Sequence, residues 1–349
     1  MRIEARTEIS KPMIYAAPVL AVVLTMIAGF VLFKVMGHNS IDALHTFFVA
    51  PISSLDGLAE LCVKGTPLIL IGIGLSFGFR ANVWNIGAEG QLTMGALAGG
   101  ALALAFYEVD SPLLLPGMIV VAALGGMAWA AIPAFLKTRF NANEILTSLM
   151  LTYIGLLILS MLIHGPMKDP DGMNFPESRL FHDAAMLPVI LEETRLHAGF
   201  LIALAAVASA WIILGRHIIG FQIRVIGMAP RAASFAGFDQ KKMVWLTFLV
   251  AGAASGIAGI SEVAGPLGQV VPVISPGYGF TAIIVAFVGR LHPVGILFAG
   301  LLMALSYLGG ENAQIEMNMP NAVTGVFQGM LLFFLLACDV LIKYRLRLI

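Results

Sequence analysis

Apolar runs long enough to cross a bilayer recur along the whole chain. About 30 Å of hydrocarbon takes roughly 20 apolar residues in a helix. Runs of that length lie at about 13 to 36, 57 to 79, 113 to 136, 144 to 164, 197 to 215, 243 to 263 and 321 to 342. Three more, at about 90 to 107, 278 to 290 and 293 to 309, are shorter or flanked and interrupted by Gly and Pro. The pattern predicts an all-α membrane protein, a polytopic bundle of about 10 transmembrane helices.

The polar positions between these runs set the sides. Arg2, Arg6 and Lys11 precede the first run, and Lys137 and Arg139 follow that at 113 to 136. Arg216, Arg224, Arg231, Lys241 and Lys242 lie between the runs at 197 and 243, and Lys343, Arg345 and Arg347 close the chain. Counting spans puts all four basic clusters on one side, which the retention of Lys and Arg in short loops makes cytoplasmic. The opposite loops carry acids: Asp42, Asp56, Glu108, Asp110, Glu192, Glu193, Glu311 and Glu316. Both termini are therefore expected in the cytoplasm.

Composition agrees. Of 349 residues, 59% are hydrophobic and 11% charged, with a mean hydropathy of +0.93, more apolar side chain than a soluble core buries. Twenty basic residues balance twenty acidic ones, so no net field points to a nucleic-acid partner. Cys62 and Cys338 fall in apolar runs near opposite faces and read as packing residues, not as a disulfide. No linker divides the chain, which reads as one transmembrane domain over 1–349, with a cytoplasmic tail at 1–12, an external loop at 165–196 and a cytoplasmic segment at 216–242. The external loop holds Pro166, Pro170, Pro176 and Pro188, and is either a connector or a docking surface for an external protein.

Two segments break the plain bundle. In SFGFRANVWNIGAEGQLTMG, Ser76 to Gly95, a Gly-rich apolar helix runs into polar residues before the apolar pattern resumes. Backbone loosened at membrane depth is buried in protein or lines a water-filled cavity, which makes Asn82, Trp84, Asn85 and Glu89 candidates for a substrate pathway. The alternative is a cytoplasmic turn with Arg80 and Glu89 at the interface and Trp84 as its anchor. The second segment, Arg216 to Met243, is long yet not a polar linker, because Phe221, Ile223, Val225, Ile226 and Phe235 need cover. Pro230 fits the start of a short helix over about 231 to 236 and Gly237 its end. Such a helix suits a groove on a soluble partner or the membrane surface. Elsewhere, Asn143 and Glu144 read as cap and first turn of a helix. Gly252, Gly256 and Gly259 read as a close-packing stripe, and Arg290 and His292 as an ordinary cytoplasmic turn.

Absences narrow the chemistry. No GxxxxGK[ST] loop cradles nucleotide phosphates, and HExxH, CxxC and clustered His are missing, so neither a membrane enzyme nor a metal site is indicated. Glu89, Glu144 and Glu262, all near predicted span ends, are too few for an ion-coupled carrier, while a passive channel has no use for a structured helix at 231 to 237.

Three stretches, ANVWNIGAEGQ (Ala81 to Gln91), NEILTSLML (Asn143 to Leu151) and RVIGMAPRAASFAGF (Arg224 to Phe238), resemble the permeases of ATP-binding cassette importers for ribose-like sugars, branched-chain amino acids and nucleosides. The resemblance covers about 13 to 342 and is closest to the longer permease of nucleoside importers served by basic membrane protein lipoproteins. It implies a non-enzymatic subunit of a bacterial inner membrane importer, moving a purine nucleoside such as guanosine, or alternatively a simple sugar. No cofactor is implied in this chain, since ATP is bound by the partner. The implied partners are a cytoplasmic ATPase, a second, shorter permease, an external substrate-binding lipoprotein or periplasmic protein, and the lipid bilayer. Arg224, Pro230, Arg231, Ala232, Phe235 and Gly237 then fall on the helix that docks into the ATPase, and Asn82 to Glu89 lie near the translocation path.

Overall fold

The computed structural model describes residues 2–5, 11–172 and 174–347. They fall into two compact units, Cys62–Leu301 and the pair of segments Met1–Leu61 with Leu302–Ile349.

The larger unit holds the end of α3 (Leu55–Arg80), then α4 (Ala88–Ala105), α5 (Leu114–Phe140), α6 (Glu144–His164), α7 (Gly199–Arg216), α8 (Ile218–Met228), α9 (Pro230–Phe235), α10 (Gln240–Glu262), α11 (Tyr278–Val288) and the start of α12 (Pro293–Met317). Its core is the mutual packing of α4, α5 and α10. Small residues permit the approach: a β-carbon on Gly256 would overlap the Ala122 carbonyl of α5, and one on Gly259 the Leu92 carbonyl of α4. The glycine stripe expected to pack helices does so.

The second unit is built on α1 (Lys11–Val35) against α13 (Ala322–Lys343). Phe33, Phe47 and Phe327 are its aromatic heart, with Phe47 and Phe327 stacked at 4.4 Å between centroids. Thr46 donates to the Glu316 carboxylate at 3.1 Å. Strand β1 (Arg2–Ala5) pairs antiparallel with β2 (Tyr344–Arg347), Arg2 opposite Arg347, so the two chain ends share one side as the basic clusters require. Residues 6–10 of the expected tail, with Arg6, lie outside the described residues.

Among the described residues, seven helices are long and apolar enough to span a membrane. Adding α4, α11 and α13 gives ten elements at the ten expected places, with ends shifted by a few residues and α12 running on to Met317. Two helical stretches had no counterpart in the pattern. Residues 40–52 form α2 (Ser40–Leu44), a π turn and a 3-10 turn, opened by Asn39 accepting the Ile41 N–H. Residues 218–228, where apolar side chains needed cover, are helical throughout. Both cysteines are free thiols.

Candidate functional site

The polar break begins where α3 ends. Asn82 takes a left-handed φ of +57°, and Val83 donates to the Gly78 carbonyl (2.9 Å) while Asn82 donates to Phe79 (3.2 Å). This is a Schellman stop with Asn in the position that glycine usually fills. Asn is tolerated there because its short polar side chain offsets part of the left-handed penalty. Its Oδ1 accepts the Trp84 indole N–H at 3.2 Å. The Trp84 ring stacks on Phe287 of α11 at 5.8 Å and leans on Phe79 at 5.2 Å, while Phe79 and Phe287 stack at 5.1 Å.

Between Trp84 and α4 the backbone is irregular, and one of its N–H groups finds its partner on another element. The Ile86 N–H donates to the Ser148 hydroxyl of α6 at 3.1 Å. Asn85, 3% exposed, exchanges two amide hydrogen bonds with Gln91 (3.0 and 3.1 Å) and accepts the Gly87 N–H. Its polar capacity is thus spent inside the protein.

Glu89 lies in the first turn of α4 and is 3% exposed. Its carboxylate accepts the Gly279 N–H of α11 at 2.6 Å, together with the Ser275 hydroxyl and the Gly277 N–H. Ser275 in turn accepts from Gly277 (3.1 Å) and Tyr278 (2.8 Å). One carboxylate thereby serves the N-termini of two helices, where backbone N–H groups lack partners and the dipole favours negative charge. Gly279 is required by the approach, since a β-carbon there would overlap the Glu89 backbone.

The cytoplasmic segment is built as carefully. His217 caps α8 by accepting the Ile219 N–H through Nδ1 at 3.2 Å. Gly220, Ile223 and Ile226 form the buried stripe of α8, while Phe221 and Met228 face outward. Arg224 is exposed and donates through Nε to the Gly220 carbonyl at 3.3 Å. Helix α9 follows at once, with Pro230 in its first turn. It stops at Gly237, whose φ is +80°, with Phe238 donating to Ala233 and Gly237 to Ser234, both at 3.0 Å. Gln240 holds it from below, donating to the Pro230 carbonyl (2.8 Å) and the Ser234 hydroxyl (2.9 Å). Only Ala233 of α9 is buried. Arg231 and Ala232 are exposed, and Phe235 is 95% exposed.

On the opposite face the loop after α6 is tied to residues 264–270. Phe181 donates to Gly268 and Leu187 to Ala264, both at 2.7 Å, and Ser178 to Val270 at 3.0 Å. A polar cavity of about 500 Å³ opens here, lined by Tyr107, Asp169, Glu177, Arg179 and Gln269 among others. Arg179 reaches Asp169 (3.4 Å) and Asp171 (3.3 Å) and lies over the Tyr107 ring.

Residues 57–336 match the family model described as the branched-chain amino acid transport system / permease component. The chain belongs to this family of permeases. The permease is 35% identical to the glucose ABC transporter permease protein TsgB13 of Haloferax volcanii, over 99% of this chain and 93% of that one. It is 29% identical to the guanosine ABC transporter permease protein NupP of Bacillus subtilis, over 91% of each. It is 26% identical to the nucleoside ABC transporter permease protein NupB of Lactococcus lactis, over 91% of this chain and 89% of that one.

Within the permease, the four candidates of the break do not form one surface. Asn82 and Trp84 join the aromatic cluster at the cytoplasmic end, whereas Asn85 and Glu89 are buried and occupied by protein partners. Pro230, Arg231, Ala232, Phe235 and Gly237 are together on or beside α9, with Arg224 on the helix before it. Sequence reasoning did not single out Ser275, Gly279 or Phe287 for function; the SPGYG run at 275–279, a hydroxyl and two glycines at a helix start, was the available signal.

Proposed function

We propose that the permease is the membrane subunit of an ATP-driven importer of the bacterial plasma membrane and takes its drive from a cytoplasmic ATPase seated on α9. The exposure of Phe235 carries this reading: an aromatic ring 95% exposed on a helix opened by Pro230 and closed at Gly237 is an anchor awaiting a groove. Arg231 beside it supplies a charge at the rim. In this reading an external binding protein delivers cargo to the face bearing the 165–196 loop, and a second permease completes the pathway. ATP binding closes the ATPase pair, α9 transmits the closure, and the bundle turns from outward to inward access. Only differential affinity of ATP and cargo for the two states drives such a cycle.

The proposed cargo is a nucleoside, guanosine foremost, a reading supported by relatives named for guanosine and nucleoside transport. A simple sugar is the second reading, favoured by the higher identity to a glucose permease. Affinity purification of the tagged permease tests the first part, since the ATPase is expected to come with it. A radiolabelled panel of guanosine, other nucleosides, ribose and glucose, bound to the partner binding protein, tests the second. Binding of free sugars alone would overturn the nucleoside reading.

A further inference from the structure

Arg80, the last residue of α3, does more than end a helix. Its guanidinium donates twice to the Leu291 carbonyl, through Nε at 2.9 Å and through a terminal nitrogen at 2.7 Å. Leu291 lies in the turn between α11 and α12, where Arg290 and Leu291 both take left-handed φ values, +54° and +55°. Two consecutive non-glycine residues in that region are costly, and such strain persists only where the surroundings impose it. Here Leu291 donating to Ala286 (2.8 Å) and Arg290 to Phe287 (2.9 Å) close the turn, and the Arg80 fork holds the carbonyl it presents. The Phe79, Trp84 and Phe287 rings join the end of α3 and the break to α11 as well.

The Arg80 backbone faces the cytoplasmic segment. Gly227 of α8 sits so close that a β-carbon there would overlap the Arg80 carbonyl. The Arg224 charge is near enough to act on the Arg80 guanidinium. The far end of α11 is the end held by Glu89. A continuous set of contacts therefore leads from α9 through α8 to Arg80, from Arg80 to the Leu291 turn, and along α11 to the break.

We infer that Arg80 is a positioning residue of transport: it clasps the α11–α12 turn to the end of α3 and relays displacement of α8 into α11. The inference rests on the reading that α9 receives the ATPase. Lysine at this position keeps the charge but loses the planar fork, so Arg80→Lys separates the clasp from simple electrostatics. Gly227→Ala disturbs the same junction from the α8 side.

The test is made on the whole importer, permeases with ATPase, in lipid nanodiscs. Amide hydrogen exchange of residues 278–292 is compared before and after trapping with ATP and vanadate, and the co-purified ATPase is quantified. The wild-type complex is expected to change exchange in this segment by about tenfold or more. Arg80→Lys and Gly227→Ala are each expected to abolish the change while retaining the ATPase, and the double variant to do no more than either alone, as contacts in one series require. An unaltered response in both variants, or a wild-type segment indifferent to trapping, overturns the relay and leaves the docking reading standing. Loss of the ATPase from both variants also overturns it, by placing the junction in the docking surface. Failure of the wild-type chain to hold the ATPase overturns the docking reading itself.

Discussion

The Glu89 carboxylate accepts the Gly279 N–H at 2.6 Å, joining the first turns of α4 and α11 across 190 residues of sequence. Removing the acceptor strands the buried Gly279 N–H, at about 1 to 3 kcal/mol for such a group, while the Gly277 N–H keeps the Ser275 hydroxyl. Glu89→Ala is therefore expected to lower the thermal midpoint of the detergent-purified chain clearly, and Glu89→Gln, which still accepts, to lower it less. Equal midpoints for the two variants would show that the carboxylate does not hold the helices.

The α5–α10 junction makes a prediction of another kind. Gly256 meets the Ala122 carbonyl with no room for a side chain, and overpacking a fitted contact costs about 1 to 3 kcal/mol. Gly256→Val is expected to reduce the yield and midpoint of the folded chain. Gly325→Ala, at a position with open space around it, is expected to leave both unchanged. Melting curves of the two variants decide.

His197 lies two residues ahead of α7 and is 2% exposed. Burial, with the nearby Arg195 charge adding to it, pushes its pKa from 6.5 down to about 4. The folded state then binds fewer protons than the unfolded chain between those values, so the stability is fully present above pH 6.5 and is lost as pH falls toward 4. The linkage amounts to about 2 kcal/mol at pH 5. Thermal midpoints of wild type and His197→Asn, measured from pH 7.5 to 4.5, are expected to converge as the pH drops. A constant difference would remove His197 from the account.

What the sequence made legible follows from how local each signal is. The spans were readable because bilayer thickness dictates apolar length, and the sides because basic residues mark the cytoplasmic loops. Asn143 does cap α6, accepting from Ile145 and Leu146, and Pro230 and Gly237 bound α9, because caps and stops depend on neighbours in sequence. Helix α8 escaped notice because its cap is His217, outside the usual set, although Gly220, Ile223 and Ile226 at a spacing of three carried its period. The break was legible as an interruption but not as an arrangement. Nothing near Glu89 in sequence announces Gly279, and nothing near Trp84 announces Phe287, since both pairings exist only once α11 is packed. Asn85, read as open to a pathway, is closed by Gln91 six residues on.

The central claim is that the exposed face of α9 receives the ATPase, and Arg231→Ala/Phe235→Ala tests it most directly. Exposed positions of this kind change stability by about 0.5 kcal/mol or less, so the double variant is expected to insert and melt like wild type. Loss of an aromatic anchor and its charged neighbour costs about 2 to 4 kcal/mol of binding. The measurement is the amount of ATPase retained on the tagged, membrane-extracted complex, together with uptake in vesicles. The expected result is a fall of about tenfold or more in retained ATPase, with uptake lost alongside it. Wild-type retention and wild-type uptake in the double variant would contradict the account.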